Sequence, residues 1–181
     1  MQRGTLFLVV GPSGAGKDTL LDAARRHLEG DQRYCFPKRL ITRAPDAGGE
    51  AHIAVSTQQF DMQRSGGQLL LHWSAHGQSY GIPSCAAEAL AGGRHVVANV
   101  SRSVLDEARQ CFQPVRILSV QVPAAVLRRR LQERGREQGE EVEERLQRAS
   151  AFAVDGEDVT VIRNDGALET AVVRFVQALI R

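Results

Sequence analysis

Short continuous apolar runs and longer amphipathic stretches alternate along the chain. Residues 5–10, 95–99, 115–122 and 159–163 are runs of the first kind and predict buried strands. Residues 17–29 carry Leu20, Leu21, Ala24 and Leu28 at helical spacing and predict an amphipathic helix. Further helices are expected over 124–134, 140–152 and 167–180, and one from Ser103, as its cap, through Cys111. Between 35 and 93 the rhythm changes. Residues 35–41 read as a strand, 43–50 as a polar loop broken by Pro45 and Gly48-Gly49, and 69–73 and 78–82 as two short strands around His76-Gly77. Ser56-Thr57-Gln58-Gln59 has the form of a capping box and opens a helix through Ser65. Pro83 is expected to start another helix, as proline suits the first helical position.

Strands that alternate with helices imply a mostly parallel sheet covered on both faces. The expected fold is therefore α/β. The residues 35–93 read as an inserted acceptor lobe, and the charged stretch 134–152 as a lid.

The first strand ends in Gly11-Pro12-Ser13-Gly14-Ala15-Gly16-Lys17, and the first helix follows at once. That context turns a glycine-rich string into a phosphate loop. Glycines let the backbone close around phosphate oxygens, the helix N-terminus adds N–H donors, and Lys17 reaches the β- and γ-phosphates. The cofactor expected is ATP with Mg2+, held by Gly11 to Lys17 with Asp18 and Thr19. Position 18 is aspartate where Ser or Thr usually supplies a hydroxyl to the metal. Asp18 is read either as an Mg2+ contact, direct or through water, or as a favourable charge at the helix N-terminus.

Composition narrows the partner. The 181 residues suit one compact domain, and 43% hydrophobic content supports a core. The net charge of +2 is far from that of a nucleic-acid-binding protein. Basic residues cluster locally instead, at Lys38-Arg39, Arg43, 128–130 and Arg134 with Arg136, which suits a small ligand with several phosphates. Cys35, Cys85 and Cys111 have no metal-ligand spacing, and three thiols without a signal peptide imply a reduced cytoplasmic protein. The apolar run from Leu6 has only five residues, too short for a membrane span. Neither nucleic acid nor membrane is expected as partner, and oligomeric state is not legible.

The loop, together with Ile41-Thr42-Arg43-Ala44-Pro45 leading to Gly49-Glu50, Ser79-Tyr80-Gly81-Ile82-Pro83, residues 131–135 and residues 161–165, resembles the guanylate kinase superfamily. These segments span nearly the whole chain in the same order. The resemblance implies a P-loop nucleoside-monophosphate-kinase fold: a three-layer sandwich on a five-stranded parallel sheet, with acceptor lobe and helical lid. Several positions depart from guanylate kinases. Asp46 stands where they carry an arginine, His52-Ile53-Ala54 where they carry Tyr-His-Phe, and a position close to His72 where a glutamate reads guanine. Asn99-Val100-Ser101 keeps no carboxylate. A site without its acidic partner loses that reading of guanine.

Lys17-Asp18, residues 50–54 (Glu-Ala-His-Ile-Ala) and Asn99 to Arg102 are similar to the ribose 1,5-bisphosphate phosphokinases, the PhnN family of phosphonate catabolism. That family makes 5-phosphoribosyl 1-diphosphate from ATP and a sugar bisphosphate. The resemblance implies Lys17 and the loop amides at the triphosphate, and Arg136 and Arg145 as lid cations on the transferring group. It implies Arg39, Arg43, Tyr80 and Arg102 at the acceptor and Asn164 at the nucleotide base. Asp18 is expected to replace the missing acid at the strand end in the Mg2+ shell. The alternatives are a nucleoside monophosphate kinase of relaxed specificity and a non-catalytic guanylate-kinase-like interaction module.

Overall fold

The structure, a computed structural model, describes residues 3–44, 51–134, 143, 146–147 and 153–180. The chain divides into two compact units, residues 1–8 with 30–115 and residues 9–29 with 116–181.

The α/β expectation holds. Strands β1 (Leu6–Val10), β2 (Tyr34–Cys35), β7 (His95–Asn99), β8 (Val115–Gln121) and β9 (Val159–Arg163) form an all-parallel sheet in the order β2-β7-β1-β8-β9. Every side chain of β1 is buried, so both faces of this central strand are covered. That is why its sequence, Leu-Phe-Leu-Val-Val, is a continuous apolar run and not an alternating one.

The first unit also holds a four-stranded sheet in the order β4-β3-β6-β5, made of β3 (Leu40–Ile41), β4 (Ile53–Ala54), β5 (Leu69–Ala75) and β6 (Gln78–Pro83). β5 and β6 are a hairpin closed by His76 and Gly77, at φ 52° and 71°. Two successive positive φ values match the right-handed twist of the flanking strands. Helix α2 (Thr57–Ser65) starts on the expected capping box: Gln59 N–H donates to Ser56 Oγ at 3.1 Å, and Ser56 N–H to Gln59 Oε1 at 2.8 Å.

Three expectations need correction. The run 35–41 is not one strand: Pro37, without an N–H, separates β2 in the parallel sheet from β3 in the mixed one. Pro83 does not start a helix. It ends β6 opposite Leu69, and Ser84 N–H still donates to Gln68 at 2.9 Å, so α3 begins only at Cys85 (Cys85–Ala91). Ser103 is not the cap of the next helix. Ser101 Oγ accepts the Ser103 N–H at 3.3 Å and opens a 3-10 turn, Arg102–Val104, ahead of α4 (Leu105–Cys111). The two-residue β4 was not foreseen, being short and exposed.

In the second unit, α1 (Lys17–His27) buries Leu20, Leu21 and Ala24 and packs with α6 (Leu168–Ile180), which buries Ala171, Phe175, Val176 and Leu179. Helix α5 (Ala124–Arg134) buries Leu127 and Leu131 with Leu146. Leu146, Glu143 and Gln147 are helical; the rest of the helix expected over 140–152 lies outside the described residues. Glu143 pairs with Arg128 of α5. Among the described residues no helix is long and apolar enough to cross a membrane.

His95 locks the start of β7. Its Nδ1 accepts the Thr5 N–H at 3.0 Å, and its ring lies 5.2 Å from that of Tyr34 and 5.9 Å from that of Phe7. Burial pushes its pKa below the ordinary 6.5, the nearby Arg33 adds to the effect, and Asp31 opposes it. An unfolded chain then takes up a proton that the folded chain resists. Stability from this site is complete above the unfolded value near 6.5 and falls as pH drops through the window beneath it. Urea unfolding at about pH 8 and about pH 5.5 should show a lower midpoint in acid, and His95→Gln should shrink that difference. An unchanged pH slope in the variant would assign the effect to other groups.

Candidate active site

The phosphate loop runs from the end of β1 to the start of α1. Gly16 is the N-cap of α1 and has no side chain with which to cap it, so the first-turn amides are not closed off by their own cap residue. Lys17 folds back across the loop, its ammonium donating to the carbonyls of Gly11 at 2.7 Å and Pro12 at 3.0 Å. Ala15, within the loop, is fully buried.

Two glycines are required by what approaches them. Gly14, at φ 86°, lies over α5, and a Cβ there would meet Leu127 Cδ1 at 2.9 Å. Gly16, at φ 87°, lies against Asn164, and a Cβ there would stand 2.5 Å from Nδ2. Both positions also have the left-handed backbone that disfavours side chains. Asn164 follows β9 and is only 2% exposed. Its Nδ2 donates to the Ala15 carbonyl at 2.8 Å, and its Oδ1 is buried without a partner among the described residues.

Asp18 and Thr19 are exposed in the first turn of α1. Among the described residues no group of three or more His, Cys, Asp or Glu gathers into a metal cage. One carboxylate beside a phosphate site nevertheless fits Mg2+, which commonly takes one or two protein carboxylates and completes its shell with water and phosphate oxygens.

Sequence reasoning left Arg130 unassigned. Its guanidinium lies 3.9 Å from the Cβ position of Gly16, which puts a cation of α5 beside the loop. The Arg128-Arg129-Arg130 run hides this, because helical phase alone does not show which member turns inward.

The residues expected at the acceptor, Arg39, Arg43, Tyr80 and Arg102, lie in the first unit. Arg39 leads into β3, and Ile41 pairs with Tyr80 across the sheet. Trp73 and Tyr80 face each other on the hairpin, their rings 5.5 Å apart and within 4° of parallel. The Arg39 guanidinium lies over both, 5.8 Å from the Trp73 centroid and 5.2 Å from that of Tyr80. It also donates to the Asn99 carbonyl at 3.5 Å. Trp73 had no place among the expected site residues, and an apolar strand position gives no sign of it.

Thr42 pins the Thr-Arg motif to the hairpin. Its Oγ1 accepts the Ser79 N–H at 2.8 Å and donates to Gln78 Oε1 at 3.1 Å. Arg43 follows, half-buried, with Nε buried and unpartnered among the described residues. His52 Nε2 meets the Arg43 carbonyl at 3.2 Å. Arg102 is exposed on the 3-10 turn three residues past Asn99. Arg136 and Arg145 lie outside the described residues, as does Glu50.

Residues 6–153 match the family described as an AAA domain. Over 174 residues the chain is 41% identical to the ribose 1,5-bisphosphate phosphokinase PhnN of Agrobacterium fabrum, covering 96% of this chain and 95% of that one. The protein of the same name from Rhizobium etli is 42% identical over 178 residues, with 98% and 90% covered. A bifunctional ribose 1,5-bisphosphokinase-thymidine phosphorylase from Azorhizobium caulinodans is 41% identical over 99% of this chain, which spans 26% of that longer protein. Among solved structures, a guanylate kinase from Anaplasma phagocytophilum superposes with TM-score 0.69 at 19% identity, covering 99% of this chain and 86% of that one. A gluconokinase from Sinorhizobium meliloti superposes with TM-score 0.56 at 19% identity, covering 99% and 93%. At such identity these two likenesses concern the fold alone.

Gly16→Ala should weaken ATP binding by about tenfold or more, because it combines a disfavoured φ with a collision at Asn164. Equilibrium titration with ATP checks this, and wild-type affinity would show that the loop tolerates a Cβ there.

Proposed function

The chain belongs to the PhnN family of ribose 1,5-bisphosphate phosphokinases, and on that premise we propose that it transfers the γ-phosphoryl group of ATP to ribose 1,5-bisphosphate. The products are 5-phospho-α-D-ribose 1-diphosphate and ADP. The observation that carries the reading is the 41% identity with the Agrobacterium protein over nearly the full length of both chains. We assign the reaction to phosphonate catabolism in the cytoplasm.

An oxygen of the sugar's 1-phosphate attacks the γ-phosphorus while the bond to the β-phosphate oxygen breaks. The nucleophile is already ionised at neutral pH, so no general base is needed. The chemical task is to position two polyanions and offset their repulsion. Lys17 exchanges its loop carbonyls for β- and γ-phosphate oxygens, and the amides of the 11–19 segment hold the rest. Arg130 adds a cation there, and Arg136 and Arg145 act on the transferring group. Asp18 would hold Mg2+, which neutralises charge on the phosphates.

Arg39, Arg43 and Tyr80 hold the acceptor's phosphates, and Arg102 contributes from its turn. A bisphosphate needs more cations than a nucleoside monophosphate does. The guanidinium of Arg39, held over two aromatic faces, supplies one of them.

A coupled ADP-release assay with ribose 1,5-bisphosphate, GMP or no acceptor tests the assignment. Turnover is expected with the sugar bisphosphate, and turnover with GMP alone would overturn it. Lys17→Ala should lower kcat by about a thousandfold or more with the thermal transition retained. Arg39→Ala should raise the acceptor KM by about ten- to a hundredfold and leave the ATP KM within about twofold. The reverse pattern would place Arg39 on the nucleotide.

A further inference from the structure

Asn164 combines features that a packing residue does not need. It is 2% exposed, it sits 149 residues from the loop carbonyl it binds, and its Oδ1 has no partner among the described residues. An apolar side chain of similar size would fill the space without stranding a buried acceptor. The residue is fixed at both ends: its own N–H donates to the Gln121 carbonyl at the end of β8 at 3.0 Å, and its Nδ2 donates to Ala15.

We propose that Asn164 is a positioning residue for the phosphate loop, setting the direction of the Gly16 N–H through the carbonyl of Ala15. The inference rests on the reading of residues 11–19 as the triphosphate site. A trans peptide is planar, and its C=O and N–H point in opposite directions. Holding the Ala15 carbonyl toward Asn164 therefore aims the Gly16 N–H the other way and keeps that donor from turning inward. The side-chain amide has one usable orientation, since turning it over would set Oδ1 against the Ala15 oxygen, acceptor against acceptor. The approach also explains why position 16 excludes a Cβ, which would stand 2.5 Å from Nδ2. Asn164 acts on the nucleotide through the peptide, and its effect belongs to ATP and ADP affinity.

Asn164→Asp keeps the shape and replaces the donor with a carboxylate oxygen. When ionised it repels the Ala15 carbonyl, and when protonated it can donate to it. Burial raises the pKa of such a carboxyl, and the Arg130 guanidinium beside Gly16 opposes the rise. Binding of ATP and of ADP to the full chain would be measured by calorimetry between about pH 8 and about pH 6. At the upper end the variant should bind both about ten- to a hundredfold more weakly than wild type, and that ratio to wild type at the same pH should shrink toward the lower end. Wild-type affinity at the upper pH, or a loss independent of pH, would overturn the proposal. Asn164→Ala guards against a folding defect: it should show weakened binding without recovery in acid, and undiminished binding would count against the proposal. Wild-type binding of ATP without turnover of ribose 1,5-bisphosphate would sink the proposed reaction and leave this inference standing. Failure of wild type to bind ATP would remove the premise of both.

Discussion

A backbone that binds phosphate must leave its N–H groups pointing outward, and nothing within a loop of small residues enforces that. The Ala15–Gly16 peptide meets the difficulty by fastening its carbonyl to a side chain from the far end of the sequence. The other parts of the nucleotide side follow from this attachment. Gly16 must lack a side chain, α1 must begin there, and Leu127 and Leu131 of α5 can press against Gly14 because the loop is held in one shape. The loop's glycines answer to their protein neighbours as much as to a ligand.

At the proposed acceptor site the organising contact is between flat surfaces. Trp73 and Tyr80 stack as a cross-strand pair, and Arg39 lies across them. Aromatic faces orient a guanidinium without neutralising it. The place of the cation is thus set by the two rings, which is what the proposed acceptor role asks of it. Thr42 extends the same order to the next residue, since its hydroxyl is bonded on both sides to the hairpin and fixes where Arg43 departs.

Local rules carried a large part of this into the sequence. The phosphate loop was legible because strand, glycines, lysine and helix are contiguous, and the capping box at Ser56 because its partners are three residues apart. The family was legible from short segments in a fixed order. What escaped depends on residues distant in sequence. Trp73 reads as one more apolar strand position until Arg39 is placed over it. Arg130 reads as one of three like charges until its approach to Gly16 is seen. Asn164 was expected at the nucleotide base, and its bond to Ala15 spans almost the whole chain. Pro83 and Ser103 show the converse: each has the right chemistry for a helix start, and neighbouring strand pairing or a neighbouring serine took that role instead.

The division of one apolar run into β2 and β3 gives the segment 36–39 the character of a ruler. β2 is tied to β7 in one sheet, β3 to β6 and β4 in another, and four residues join them. The joint itself is not strand, so a change in its length alters the reach between two fixed pairings. The span between the two pairings, and the place where Arg39 emerges, therefore depend on a residue count. Relatives that keep this chemistry should keep both the length of the joint and the arginine at its end.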